Sequence, residues 1–146
     1  MFAFLAERCG RIRDDAALRS LCKRLQRLDL ETISGELQTC PSRTDAHFIH
    51  LAMLVRAARR ENPELVPGYC ANIIRLSKSE LSHHALFVRS YARYFLGAAK
   101  NDWASAHKAR QAAMLYQVRP WLRALFEMPF VPEFKRVFRP QVVSMY

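Results

Sequence analysis

Apolar residues recur at intervals of three and four along nearly the whole of this 146-residue chain, and only four glycines interrupt them. That spacing stacks side chains on one face of a 3.6-residue helix and leaves little of the alternation that half-buried strands need. The predicted class is all-α. Leu18, Leu21, Cys22, Leu25 and Leu28 share a stripe behind a cap at Asp14 or Asp15, while Arg19, Lys23, Arg24 and Arg27 fill the rest. A second, short helix is expected from Leu30 to Gln38, closed by Pro41. Ser42 or Thr44 opens a third, with Phe48, Leu51, Ala52, Val55 and Ala58 as its core stripe, and Asn62-Pro63 ends it after Glu61. A fourth runs from Glu64 to Leu76, with a distortion expected at Pro67-Gly68.

Ser77 with Glu80 three residues later forms a capping-box pattern and is expected to introduce the next helix. Phe87, Tyr91, Tyr94, Phe95 and Ala98 line one of its faces and Val88, Ala92, Leu96 and Ala99 another, so it should be sandwiched. Arg89, Arg93, Gly97 and Lys100 make the polar stripe. Asn101 and Asp102 then break the pattern: both are good N-caps and poor helix interior. The alanine stripe Ala106, Ala109, Ala113 lets the following helix approach its neighbour closely. Two helices joined by so short a link predict an antiparallel hairpin.

Asn101-Asp102-Trp103 followed by Ala106 and Ala113 resembles the turn and second helix of a tetratricopeptide-type repeat, over about 15 residues. The resemblance implies stacked helical hairpins, an α-solenoid-like bundle that works by binding. Segments 46–62 and 85–101 also align without gaps, sharing Ala, Phe and Asn. After Val118 the style changes. Pro120, Pro129, Pro132 and Pro140 divide a partly irregular tail, allowing short helices around Trp121 to Glu127 and Glu133 to Phe138. The expected organisation is a helical domain over 1–118 and a basic aromatic tail over 119–146, docked on the domain or on a partner.

The formal net charge of +10 is uneven: residues 65–146 hold 12 basic and 4 acidic side chains, residues 1–64 hold 11 and 9. A positive pole in the C-terminal half favours nucleic acid, an acidic protein face or anionic lipid. Arg89, Arg93, Lys100, Lys108, Arg110, Arg119, Arg123, Lys135, Arg136 and Arg139 are the candidate contacts to phosphate or to an acidic partner. Guanidinium forks match phosphate oxygens, and rings stack on unpaired bases. Trp121, Phe126, Phe130, Phe134 and Phe138 are the candidate docking aromatics, with packing onto the last hairpin as their alternative role.

Catalysis finds no foothold, since the chain has no glycine-rich phosphate loop, no GxSxG, no HExxH and no paired carboxylates on an apolar background. His47 and His50 share a helix side, but no full ligand set is patterned, so no metal or cofactor is expected. Cys9, Cys22, Cys40 and Cys70 form no CxxC pair and read as reduced, buried thiols of a reducing, intracellular compartment. The longest uncharged stretches, 46–55 and 65–74, are too short to span a bilayer. The opening MFAFLAERCGRIR lacks a secretory pattern; Arg8, Arg11 and Arg13 suit an organellar-matrix address, which Glu7, Asp14 and Asp15 oppose.

LDLETISGEL, Leu28 to Leu37, resembles the recognition-helix entry of catabolite-activator-type helix-turn-helix regulators, which implies Asp29 as cap, Ile33 as buried anchor and Thr32 or Ser34 at DNA. The expected function is a non-catalytic basic subunit or adaptor of a larger assembly, a nucleoprotein complex, contacting phosphate through its C-terminal half. A DNA-binding regulator and a protein scaffold or chaperone with an acidic partner are the alternatives.

Overall fold

The computed structural model describes residues 15–42 and 44–129. Among them the secondary structure is entirely helical: α1 (15–25), α2 (Leu30–Leu37), α3 (Asp45–Glu61), a 3-10 turn (Pro63–Leu65), α4 (Val66–Leu76), α5 (His83–Ala99), α6 (Trp103–Ala113) and α7 (Pro120–Leu125). None of these is long and apolar enough to cross a membrane.

Caps fix the starts. Asp29 accepts the Thr32 amide at 2.8 Å, Thr44 that of His47 at 3.0 Å, Ser82 that of Ala85 at 3.0 Å and Asp102 that of Ser105 at 3.2 Å. Each satisfies a donor that the first turn leaves without a partner. The start of α5 corrects the sequence expectation, because Ser82 caps it and Ser77 ends α4. Ser77 is fully buried there and donates to the Ile74 carbonyl. The expected distortion at Pro67-Gly68 is also displaced: Pro67 occupies the first turn of α4, where a missing N–H costs nothing, and the irregularity is the 3-10 turn before it.

α3 is the centre of the molecule, packed on α2, α4 and α5. Its burial runs through residues 47–55 with Ala57 and Ala58, all round the helix rather than along the single predicted stripe. α5 packs on α3, α4 and α6, as its two apolar faces require. α3 and α5 are each 17 residues long and start side by side: Asp45 accepts from the Ser82 hydroxyl at 2.9 Å, and His84 Nδ1 lies 3.1 Å from its other oxygen.

The break at Asn101-Asp102 separates two helices. Asn101 adopts φ 58°, a left-handed conformation that asparagine tolerates better than most residues. Its amide donates to Ala98 O at 3.1 Å and that of Asp102 to Gly97 O at 2.8 Å, the paired bonds of a Schellman ending. The chain then reverses. Gly97 meets Ala106 near the turn, while at the far end the His83 ring meets Tyr116 edge-on at 6.2 Å and its Nδ1 accepts from the Gln117 amide. α6 ends at Ala113, one turn short of the expected Tyr116.

His47 and His50 are buried in α3, and His50 Nε2 donates to the Ile33 carbonyl at 3.1 Å. Burial holds both imidazoles below their ordinary pKa; the positive partner charge adds to this at His47, and the Ile33 bond opposes it at His50. A depressed folded-state pKa means the unfolded chain takes up protons first as pH falls, so this stability is present above about pH 6.5 and is lost below it. The urea midpoint is expected to drop between pH 7 and pH 5, with a flatter profile for His50→Gln; equal slopes for the two chains would refute this role.

Candidate anion-binding trough

Arg89, Arg93, Gly97 and Lys100, the stripe that the sequence pattern marks as polar, lie along one side of α5 with Leu96 beside them. In the fold they line a trough of about 570 Å³ between α4 and α6, together with Ile74, Asp102, Ser105, Lys108, Ala109, Ala112 and Tyr116. Small residues make it possible. Gly97 lets the backbone of α6 come close, and Ala109 and Ala112 keep the facing wall low. Leu96, Ile74 and the alanines give an apolar floor, with the cations around it.

The seven candidate cations among the described residues do not form one surface. Arg89 is half-buried and is held by the loop between α4 and α5, donating to Ser77 O at 2.7 Å, Ser77 Oγ at 3.2 Å and Glu80 O at 3.3 Å. Arg110 donates to Met128 O at 2.8 Å. Arg123 donates to Ala113 O at 3.1 Å and to Tyr116 O, closing the C-terminus of α6, where a cation is also favoured by the helix dipole. These three brace the fold. Arg119 forms an exposed pair with Asp15 at 3.3 Å. Lys135, Arg136 and Arg139 lie outside the described residues.

Arg93, Lys100 and Lys108 differ from the rest. All three are exposed and line the trough, and among the described residues Arg93 and Lys108 make no hydrogen bond or ion pair. Lys100 sits near Asp102, whose carboxyl is kept below its usual pKa chiefly by Ser105 and also by this neighbouring charge. Three exposed cations against the one carboxylate of the described lining leave an excess of positive charge beside apolar surface, which suits an anion that also carries apolar surface.

The candidate docking aromatics divide too. Phe126 is fully buried, 5.2 Å from Tyr91 in an edge-to-face pair, so it packs into this chain's own core, the alternative role that the sequence allowed it. Trp121 is half-buried with Arg19 over its ring at 5.9 Å. Phe130, Phe134 and Phe138, with the second expected tail helix, lie outside the described residues. On α2, Asp29 caps the helix and Ile33 is buried, but the exposed surface carries Glu31, which repels phosphate.

Among the described residues no cluster of three or more His, Cys, Asp or Glu has the arrangement to hold a metal. Cys22 and Cys70 are buried free thiols whose pKa is pushed up to about 12 by desolvation, which keeps them protonated and unreactive. Cys40 is a half-buried free thiol, also raised by burial, and Cys9 lies outside the described residues. Sequence reasoning found the cations of the trough but not Ile74, Ser105, Ala109, Ala112 or Tyr116 as its lining, because no spacing within α5 reveals what α4 and α6 bring to it. Comparison with protein-family models, with curated proteins and with solved structures gives no match, so the trough is read from its own geometry and charge.

Proposed function

We propose that this chain is a non-catalytic basic adaptor of a larger assembly, built from successive helical hairpins in the manner of a tetratricopeptide-type array, that holds an anionic partner in its C-terminal half. The observation that carries the reading is the convergence of Arg93, Lys100 and Lys108 on one trough whose described lining holds a single carboxylate, Asp102. The equal lengths and adjacent starts of α3 and α5 support the repeated-hairpin reading. A nucleoprotein complex is the assembly favoured by the net charge of +10 and by the basic excess after residue 65. A protein scaffold is the second reading, favoured by the apolar floor.

The test is the triple variant Arg93→Ala, Lys100→Ala, Lys108→Ala against an equal-charge control, Lys23→Ala, Arg27→Ala, Lys78→Ala. On a heparin column the trough variant is expected to elute at clearly lower salt than the control. If the anion is a single-stranded nucleic acid, the logarithmic salt slope for a uridine-rich RNA should fall by about 2 in the trough variant, at roughly 0.7 per phosphate contact; if it is an acidic protein face, only the heparin shift is expected. Identical behaviour of the two variants would remove the trough from any account of anion binding.

A further inference from the structure

We infer that the trough seats an acidic amphipathic helix of a partner protein, an inference that rests on the anion-binding reading above and names the anion. Three features point to this occupant. The first is length: Arg89 to Lys100 spans about 17 Å of α5 at 1.5 Å per residue, room for about three turns of a partner helix laid along it. The second is the lining, which divides by exposure. Leu96, Ile74, Ala109 and Ala112 form an apolar base, and Arg93, Lys100 and Lys108 stand at the exposed rim. A helix with leucines on one stripe and carboxylates on both flanks meets base and rim together.

The third feature is what the trough withholds from nucleic acid. A single strand binds through a track of cations with open aromatic faces for its bases. Among the described residues Tyr116 is the one aromatic in the lining, and its ring is engaged edge-on by His83. Arg89, the cation deepest in the row, has its donors turned onto Ser77 and Glu80 carbonyls. A phosphodiester chain would bring strongly hydrated oxygens over an apolar base that returns no hydrogen bond, a costly desolvation.

The experiment compares three labelled probes by fluorescence anisotropy: a peptide of about sixteen residues with leucine at i, i+3, i+4 and i+7 and glutamate elsewhere, the same peptide with serine for leucine, and a uridine-rich RNA of matched charge. The leucine peptide is expected to bind the wild-type chain at least about tenfold more tightly than the serine peptide. Ala112→Trp, which fills the base without changing charge, should weaken the leucine peptide at least about tenfold and leave the serine peptide unchanged. Leu96→Ser gives the same comparison should the tryptophan variant lose its helical circular dichroism. If RNA binding is lost in the triple rim variant while the leucine peptide binds no better than the serine peptide, the inference is overturned and the anion-binding reading stands. If the rim variant alters the binding of none of the probes, both fall.

Discussion

Replacing Phe126 with alanine is expected to lower the stability of this chain by about 3–5 kcal/mol, the range for emptying a fully buried aromatic site. For a domain of this size that is roughly 8–15 °C in Tm, a large part of a total stability of about 5–15 kcal/mol. The reason lies in what the side chain closes. Phe126 is fully buried and meets Tyr91 at 5.2 Å, and Tyr91 in turn meets Phe95 at 4.8 Å, with the Arg59 guanidinium 3.7 Å above the Phe95 ring. Around it the segment after α6 is fastened at several points: Tyr94 donates to Pro129 O at 2.7 Å, Arg110 to Met128 O and Arg123 to Ala113 O. Loss of the ring opens a cavity under all of these. Thermal and urea denaturation, with near-ultraviolet circular dichroism for the aromatic cluster, would read the effect. A Phe126→Ala chain that melts within about 2 °C of wild type and instead loses a binding partner would restore this residue to an external docking role.

The contrast between Phe126 and the trough shows what the sequence makes legible. Helix existence was readable because apolar period and caps act locally: Thr44, Asp29 and Asp102 cap the helices that their positions announce. The break at Asn101 was readable for the same reason. Ser77 misled because a serine with a glutamate three residues on satisfies the capping pattern, yet Arg89 and Ile74 draw that serine into the end of α4, and Ser82 takes the cap. Arg89, Arg110 and Arg123 are hard to place from sequence for a related reason. An arginine that braces carbonyls at a helix end is indistinguishable in sequence from one that faces solvent, and the distinction rests on tertiary neighbours 7 to 18 positions away. The sandwiching of α5 was legible from its two apolar faces, whereas the all-round burial of α3 was not, since His47, His50 and the alanines dilute its pattern.

Gly97 supplies the second large effect, and its sign runs against helix propensity. In an isolated helix, exchanging glycine for alanine gains about 1 kcal/mol. Here a Cβ at position 97 would lie 3.0 Å from the Asp102 carbonyl oxygen and 3.1 Å from the Ala106 nitrogen, both backbone atoms. Neither can swing aside as a side-chain tip would. Asp102 is bound through its amide to Gly97 O and through its carboxylate to Ser105, so the whole turn must shift for α6 to retreat. Overpacking of this kind costs about 1–3 kcal/mol for added methyl groups, and a β-branched residue adds two of them beyond the Cβ. Gly97→Val is therefore expected to destabilise the chain by about 2–3 kcal/mol, with Gly97→Ala near neutral or mildly destabilising despite its propensity gain. The molecule carries its own controls: Gly35 in α2 and Gly68 in α4 have nothing within 4 Å of an added Cβ, so alanine at either should stabilise by about 0.5–1 kcal/mol. The same shift would widen the trough and move Lys100 away from Lys108, so Gly97→Val should also weaken polyanion binding in conditions where the chain is still folded. Urea midpoints for the glycine variants would decide it: a Gly97→Val chain as stable as wild type means that α5 and α6 are not held together at this crossing.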